Sequence, residues 1–250
     1  MRKFGLIGYP LGHSFSKKYF SEKFIRENIN DCQYENYPLT NIDLLDELIS
    51  NNSDIYGLNV TIPYKSAVIK YLDFIDEQAR SIGAVNVLKL NRSGNKVVSK
   101  GFNTDIDGFK NSIFPYLGGR VFNALVLGTG GGAKAVCYVL EKFSIKITSV
   151  DIIKREGVLN YSEITDNILI NNQLIVNTTP LGMFPDILEK PDLNYNCFNK
   201  DHILFDLVYN PELTSFLKAG KEQGCTIISG INMLYGQAER AWEIWNDDGL

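Results

Sequence analysis

VFNALVLGTGGGAKAVCYVLEKF, residues 121–143, is the stretch that decides the fold. An apolar run stops at Gly128-x-Gly130-x-x-Ala133, and helical periodicity follows at once, which reads as buried strand, tight turn and helix. Glycines in the run Gly128, Thr129, Gly130, Gly131, Gly132, Ala133 let the backbone approach a pyrophosphate, whose charge is met by the helix N-terminus. The next apolar stretch, Ile145 to Val150, ends at Asp151, where an acidic residue meets an adenosine ribose. A glycine-rich turn without nucleotide is the competing explanation. The strand–turn–helix context weighs against it.

Working outward toward the C-terminus, Leu174 and Ile203 open further strand–loop units. A helical pattern runs from Ser215 to Gln223, and Thr226 to Ile228 reads as another strand. Strands alternating with helices predict a parallel, doubly wound sheet. Ile231 to Trp245 sets Met233, Leu234, Ala238, Ala241 and Trp242 on one apolar face. Gln237 lies within that face and reads by default as a buried amide satisfied by backbone.

Working outward toward the N-terminus, GFNTDIDGF places Asp105 just ahead of an apolar helical pattern, as a helix N-cap or as a carboxylate beside a lysine. GAVNVLKL from Gly83 pairs with Lys96 to Lys100 across NRSGN as a hairpin, with Asn86 inside its apolar first strand. Before it stands GLNVTIPYK, residues 57–65. Here a strand from Ile55 to Val60 is stopped by Pro63 and delivers Asn59, Thr61 and Lys65 beyond its carboxyl end. A solvated lysine in a polar loop is the bland alternative. Tyr64 to Tyr71 and Asp76 to Ile82 read as short helices, Tyr34 to Pro38 as a strand and Leu39 to Asn52 as a helix. Phe4 to Ile7 suits a first strand. After it GYPLGHSFS sets Ser14 and Ser16 before a helix over Lys17 to Asn28, either as caps or as hydroxyls for a small carboxylate.

Composition narrows the function classes. At 250 residues, 44% hydrophobic and 12% aromatic, the chain is long and apolar enough for one large or two smaller cores. A net charge of −4 without a basic run argues against a nucleic-acid partner. No apolar span is long enough for a bilayer, and Gly8, Tyr9 and Pro10 break the N-terminal run, so a cytoplasmic protein without a membrane partner is expected. Cys32, Cys137, Cys197 and Cys225 form no CxxC, and with only His13 and His202 no metal site is expected.

These blocks in this order, GYPLGHSFS, GLNVTIPYK, GAVN, GFNTDIDG, GTGGGA, NTTPLGM, DLVYNPELT and GINMLYGQA, resemble the shikimate dehydrogenase family over essentially the whole chain. The resemblance implies a two-domain α/β fold. An α/β substrate domain would span 1–104 and 231–250, and a Rossmann-like doubly wound nucleotide domain 105–230. It implies NADP-linked reduction of 3-dehydroshikimate to shikimate, a step of aromatic amino-acid biosynthesis, in a monomer or homodimer. Lys65 and Asp105 would be the catalytic pair. Ser14 and Ser16 would bind the carboxylate, while Asn59, Thr61, Asn86, Tyr209 and Gln237 surround the ring. The Gly128 to Ala133 loop, Thr178, Met183, Leu207 and Gly230 would line the nucleotide.

The chain departs from the family pattern in two places. Lys17 and Tyr19-Phe20 stand where the family usually has a proline and a His-Asn pair. Asp151-Ile152 stands where an Asn-Arg pair commonly holds the 2′-phosphate, so NAD is expected to be accepted beside NADP, with Lys154 and Arg155 near enough in sequence to offset Asp151. A quinate-accepting relative using NAD, or a non-catalytic nucleotide-binding sensor, are the alternatives.

Overall fold

The computed structural model describes residues 1–11, 15–94, 96–119 and 121–247. The chain forms two compact units, Met1–Thr104 with the segment from Ala238 onward, and Asp105–Gln237.

In the first unit the elements are β1 (Arg2–Gly8), α1 (Phe15–Arg26), β2 (Cys32–Pro38), α2 (Leu45–Asn51), β3 (Ile55–Val60), β4 (Phe74–Ile75), α3 (Glu77–Ile82), β5 (Val87–Ser93) and β6 (Lys96–Phe102). They build a six-stranded sheet of order β2-β1-β3-β5-β6-β4. β1 pairs in parallel with β2 and β3, whereas β5 runs antiparallel to both β3 and β6, the hairpin expected from NRSGN. Each face carries its own core. On one, Ile7, Leu45, Ile55, Leu58, Val68 and Leu88 pack together; on the other, Phe4, Phe20, Tyr34, Val87, Ala241 and Trp245 do.

Several expected helices are shorter than their periodicity suggested. The Leu39–Asn52 pattern begins as a 3₁₀ turn, Ile42–Leu44, because the Asn41 side chain accepts from the Asp43 amide at 3.1 Å and tightens the entry. The expected Tyr64–Tyr71 helix is a 3₁₀ turn at Ala67–Tyr71. The Lys65 carbonyl is taken by the Val85 amide at 2.7 Å, so it is not free to bond along a helix. Asn86 sits just ahead of β5 rather than inside it. Its backbone still bridges both neighbours, accepting from the Val60 amide at 2.8 Å and donating to the Phe102 carbonyl at 2.9 Å.

The second unit contains α4 (Asp105–Leu117), β7 (Asn123–Leu127), α5 (Gly131–Lys142), β8 (Lys146–Val150), β9 (Val158–Leu159), α6 (Asp166–Asn171), β10 (Leu174–Asn177), β11 (Ile203–Asp206), α7 (Ser215–Glu222) and β12 (Thr226–Ser229). Every pairing in its sheet is parallel, and the order is β12-β11-β10-β7-β8-β9. Counted from β7, that order is the doubly wound Rossmann arrangement, with its switch point between β7 and β10. The two-residue β9 and the single-turn α6 carry too little periodicity to be legible in the sequence. The last helix, α8 (Ile231–Asn246), contributes Ile231 to Gln237 to this unit and its later turns to the first.

Candidate functional site

In the first unit the candidate residues Asn59, Thr61 and Lys65 lie at and just beyond the end of β3, beside the end of β1. β3 stops as expected, for the Thr61 amide still donates to the Ile7 carbonyl at 2.9 Å, and the chain then turns with the Tyr64 amide donating to the Thr61 carbonyl at 2.9 Å. Tyr64 is buried and its hydroxyl donates to the Leu39 carbonyl at 2.6 Å. With the Val85–Lys65 backbone bond on its other side, the half-buried Lys65 leaves a main chain held at both ends.

Asn59 and Asn86 are both buried, and their amides are engaged. The Asn59 oxygen accepts from the Tyr34 hydroxyl at 2.7 Å, and its nitrogen donates to the Asn86 carbonyl at 3.4 Å. The Asn86 side-chain oxygen accepts from the Thr104 amide at 2.8 Å, and its nitrogen donates to the Thr104 hydroxyl at 3.2 Å. Asn86 therefore holds in place the residue that immediately precedes Asp105. Ser16 lies in the first turn of α1, since that helix begins at Phe15, so it is not a cap ahead of the helix. Ser14 lies outside the described residues.

In the second unit, Asp105 is the first residue of α4 rather than the residue before it, and it is buried. One turn on, Gly108 packs so tightly on the Met233 carbonyl of α8 that a side chain there would collide, and the Gln237 amide lies 3.2 Å from the same point. That close approach sets the turn bearing Asp105 against the turn bearing Gln237. The Gln237 side chain donates to the Leu234 carbonyl at 3.1 Å, the backbone partner expected of it.

The glycine loop has the conformation its sequence calls for. Gly128 has φ +101, and an added Cβ would stand 2.7 Å from the Thr178 hydroxyl, so only glycine fits at the switch point. The Thr178 hydroxyl donates to the Leu127 carbonyl at 2.6 Å, tying the ends of β7 and β10 together. Gly130 precedes α5 and offers no side-chain cap, which leaves the first amides of that helix for an anion. Leu207 lies over this helix start, 3.1 Å from the Cβ position of Gly132, and its carbonyl faces Gly230. Met183, on the turn after β10, is exposed. A dinucleotide fits this loop: the Gly128–Ala133 backbone would meet its pyrophosphate, and Asp151, just after β8, would meet its ribose.

Asp151 does not stand alone. It accepts from the Thr129 hydroxyl and from the Ile153 amide at 3.0 Å; the Arg155 guanidinium, 3.9 Å away, donates to that same Thr129 hydroxyl. Burial pushes the Asp151 carboxyl up, but these hydrogen bonds and the Arg155 charge together hold it below the ordinary aspartate range.

Residues 6–88 match the family model described as the shikimate dehydrogenase substrate binding domain. The shikimate dehydrogenase (NADP(+)) of Clostridium beijerinckii is 38% identical over 272 residues, covering 99% of this chain and 93% of the relative. The chain belongs to the shikimate dehydrogenase family. Among solved members, shikimate dehydrogenase 1 of Peptoclostridium difficile superposes with a TM-score of 0.83 at 34% identity, covering 100% of this chain and 93% of that one. The quinate dehydrogenase of Corynebacterium glutamicum, solved in complex with NAD, gives a TM-score of 0.83 at 27% identity, covering 98% and 93%.

The residues by which this chain departs from the family pattern near α1 are built into its packing. Lys17 pairs with Glu35 at 2.5 Å, Tyr19 donates to Glu239 of α8, and Phe20 stacks on Tyr34 with ring centroids 4.6 Å apart. Beside Tyr19, the buried Lys23 bridges Glu27 and Glu239 at 2.9 and 2.8 Å, fastening α8 to α1.

Sequence reasoning missed two organising residues, Tyr34 and Asp206. Fully buried at the end of β11, Asp206 accepts from the Thr214 hydroxyl at 2.5 Å, the Asn177 amide at 2.9 Å and the Val208 amide at 3.0 Å. It thereby joins the loops that bear Thr178, Leu207 and the half-buried Tyr209. A lone carboxylate in the apolar run ILFDLV was the signal that could have marked it. Among the described residues no group of histidine, cysteine and acidic side chains is placed to hold a metal, and no helix is long and apolar enough to cross a membrane.

Proposed function

We propose that this protein catalyses the reversible, NADP-linked reduction of 3-dehydroshikimate to shikimate. The observation that carries this reading is near-full-length similarity to named shikimate dehydrogenases in a chain with Asn59, Thr61 and Lys65 at one strand end and a glycine loop at the Rossmann switch point. When bound, the nicotinamide supplies the hydride that reduces the ketone carbon, or accepts it in the reverse direction.

The chain's own residues do the rest. Lys65 gives a proton to the oxygen that becomes the new hydroxyl, and takes it back in oxidation. Asp105 is assigned as its carboxylate partner, which favours the charged ammonium and orients it. Ser14 and Ser16 take the substrate carboxylate. Asn59, Thr61, Asn86, Tyr209 and Gln237 are assigned to the ring and its hydroxyls. Asn59 is oriented from behind by Tyr34 and Asn86, which take one lone pair and one N–H of its amide and leave the second N–H for the ring. Leu207, Thr178, Met183 and Gly230 shape the nicotinamide end.

On the adenosine side, Asp151 accepts from the ribose hydroxyls of NAD, while Arg155 offsets its charge when a 2′-phosphate is present. Both cofactors are therefore expected to turn over. A second reading, oxidation of quinate with NAD, is favoured by Asp151 alone. One spectrophotometric experiment separates the two, measuring kcat/KM for shikimate and quinate with NADP and with NAD. The expected result is shikimate well above quinate, with NADP preferred by less than about 10³-fold. Quinate equal to or above shikimate would replace the reading, and absence of turnover with either acid would leave only a nucleotide-binding sensor. Arg155→Ala is expected to lower kcat/KM for NADP while leaving that for NAD within about twofold.

A further inference from the structure

We propose that Asp206 is a positioning residue of the nucleotide site, setting the two loops at the nicotinamide end through the Asn177 side chain and the Val208 amide. The inference rests on the reading that Thr178, Met183, Leu207 and Gly230 line that end. Strand register brings the parts together. Asn177 and Asp206 are the last residues of β10 and β11, partners across the parallel ladder, and both are fully buried. The Asp206 Oδ1 accepts from the Asn177 side-chain nitrogen at 2.9 Å and from the Val208 amide at 3.0 Å, while Oδ2 accepts from the Thr214 hydroxyl at 2.5 Å.

Each Oδ1 bond leads into one loop. The Asn177 oxygen accepts from the Thr179 amide at 3.1 Å and from its hydroxyl at 2.6 Å, and that hydroxyl oxygen takes the Leu181 amide at 3.4 Å. The turn that bears Thr178 and Met183 is thus hung from Asn177. On the other side, Val208 stands between Leu207 and Tyr209. The Leu207 and Asp206 carbonyls close on Gly230, where a Cβ would lie 2.4 and 2.8 Å from them. A side-chain amide can face either way, but a carboxylate only accepts, so Asp206 obliges the Asn177 nitrogen to face it and the oxygen to face Thr179. An apolar side chain at 206 would leave the Val208 amide and the Asn177 nitrogen without this acceptor in a buried place, and the loops would have to move to find another. Asp206 has no exposed surface and acts on the nucleotide only through those loops.

Because both loop bonds fall on Oδ1, Asp206→Asn keeps them and turns its own nitrogen to the Thr214 oxygen, whereas Asp206→Leu removes both. Calorimetric binding of NADP is compared with that of 2′-phospho-ADP-ribose, the same molecule without its nicotinamide. Asp206→Leu is expected to weaken NADP about tenfold and the fragment less than about twofold, with Asp206→Asn within about threefold of native for both. Equal weakening of the two ligands would mark a general structural residue and overturn the proposal. So would native NADP binding in Asp206→Leu, or an Asp206→Asn variant as impaired as Asp206→Leu. Thermal unfolding identifies a variant that has lost its fold. If Asp206→Leu is one, Asn177→Ala, which cuts one loop connection and leaves the carboxylate two donors, must show the same selective loss of NADP; equal or no loss there overturns the proposal. Leu207→Ala tests the underlying reading. Selective loss of NADP in Leu207→Ala but not in Asp206→Leu keeps the lining and removes Asp206 from its support, while no selective loss in either variant removes the lining and the proposal with it.

Discussion

The two six-stranded sheets present their functional groups in opposite ways. At the strand ends of the first, the proposed work falls to side chains: Lys65, Thr61, and a buried line from Tyr34 through Asn59 to Asn86. At the switch point of the second, it is given to the backbone, where Gly128 turns with positive φ and the first amides of α5 carry no side-chain cap. The difference follows from the ligands each must meet. A hydroxylated acid needs donors and acceptors at several separate points, while a pyrophosphate needs amides and room. Removing side chains should therefore damage the first unit's function, and adding one Cβ should damage the second's.

The largest effect is expected at Lys65. Lys65→Ala should lower turnover by on the order of 10²-fold or more, with nucleotide affinity nearly unchanged, because a positioned acid–base group is lost. Steady-state kinetics together with nucleotide titration by fluorescence would check both halves. A variant with near-normal turnover would remove the lysine from the side-chain half of the contrast.

Asp206 is where the second unit departs from the backbone pattern, and it makes a pH prediction. Burial pushes this carboxyl up to about 7, although three hydrogen bonds favour its charged form. A carboxyl raised in the folded state holds its proton where the unfolded chain has released it. Its contribution to stability is therefore full below the ordinary aspartate value and lost as pH rises through about 7. The unfolding free energy of the native protein, minus that of Asp206→Asn, should fall by roughly 2 kcal/mol between about pH 5 and pH 8. Urea unfolding at several pH values measures it. A difference that stays flat would mean that the hydrogen bonds outweigh burial and that Asp206 is charged throughout.

Adding a Cβ to the loop gives the smallest of the three effects. Gly128→Ala meets both a positive φ and the Thr178 hydroxyl 2.7 Å away, so the turn must shift. The nucleotide KM is expected to rise about tenfold, with the shikimate KM at saturating nucleotide within about twofold. A rise confined to shikimate would contradict the division of labour between the two sheets.

Local signals make much of this legible in the sequence alone. The run from Val121 to Phe143 specifies strand, turn and helix by itself, because apolar continuity and glycine torsion freedom act over a few residues. The strand over Ile55–Val60 and its polar exit, the NRSGN hairpin and the final amphipathic helix are legible for the same reason. What the sequence could not decide are the partners of buried polar atoms. Tyr34 with Asn59, Arg155 with Thr129 and Asn177 with Asp206 are 25, 26 and 29 positions apart in the chain. Periodicity says that Tyr34 lies on a strand, but only the β2-β1-β3 order brings its hydroxyl to Asn59. Likewise, sequence sets both Lys154 and Arg155 near Asp151, and the fold brings Arg155 onto Thr129 beside it. Sequence determines which segments become strands and helices because backbone torsion and burial periodicity are short-range. The partners of buried donors and acceptors are settled by strand order and packing, which exist only once the chain has closed on itself.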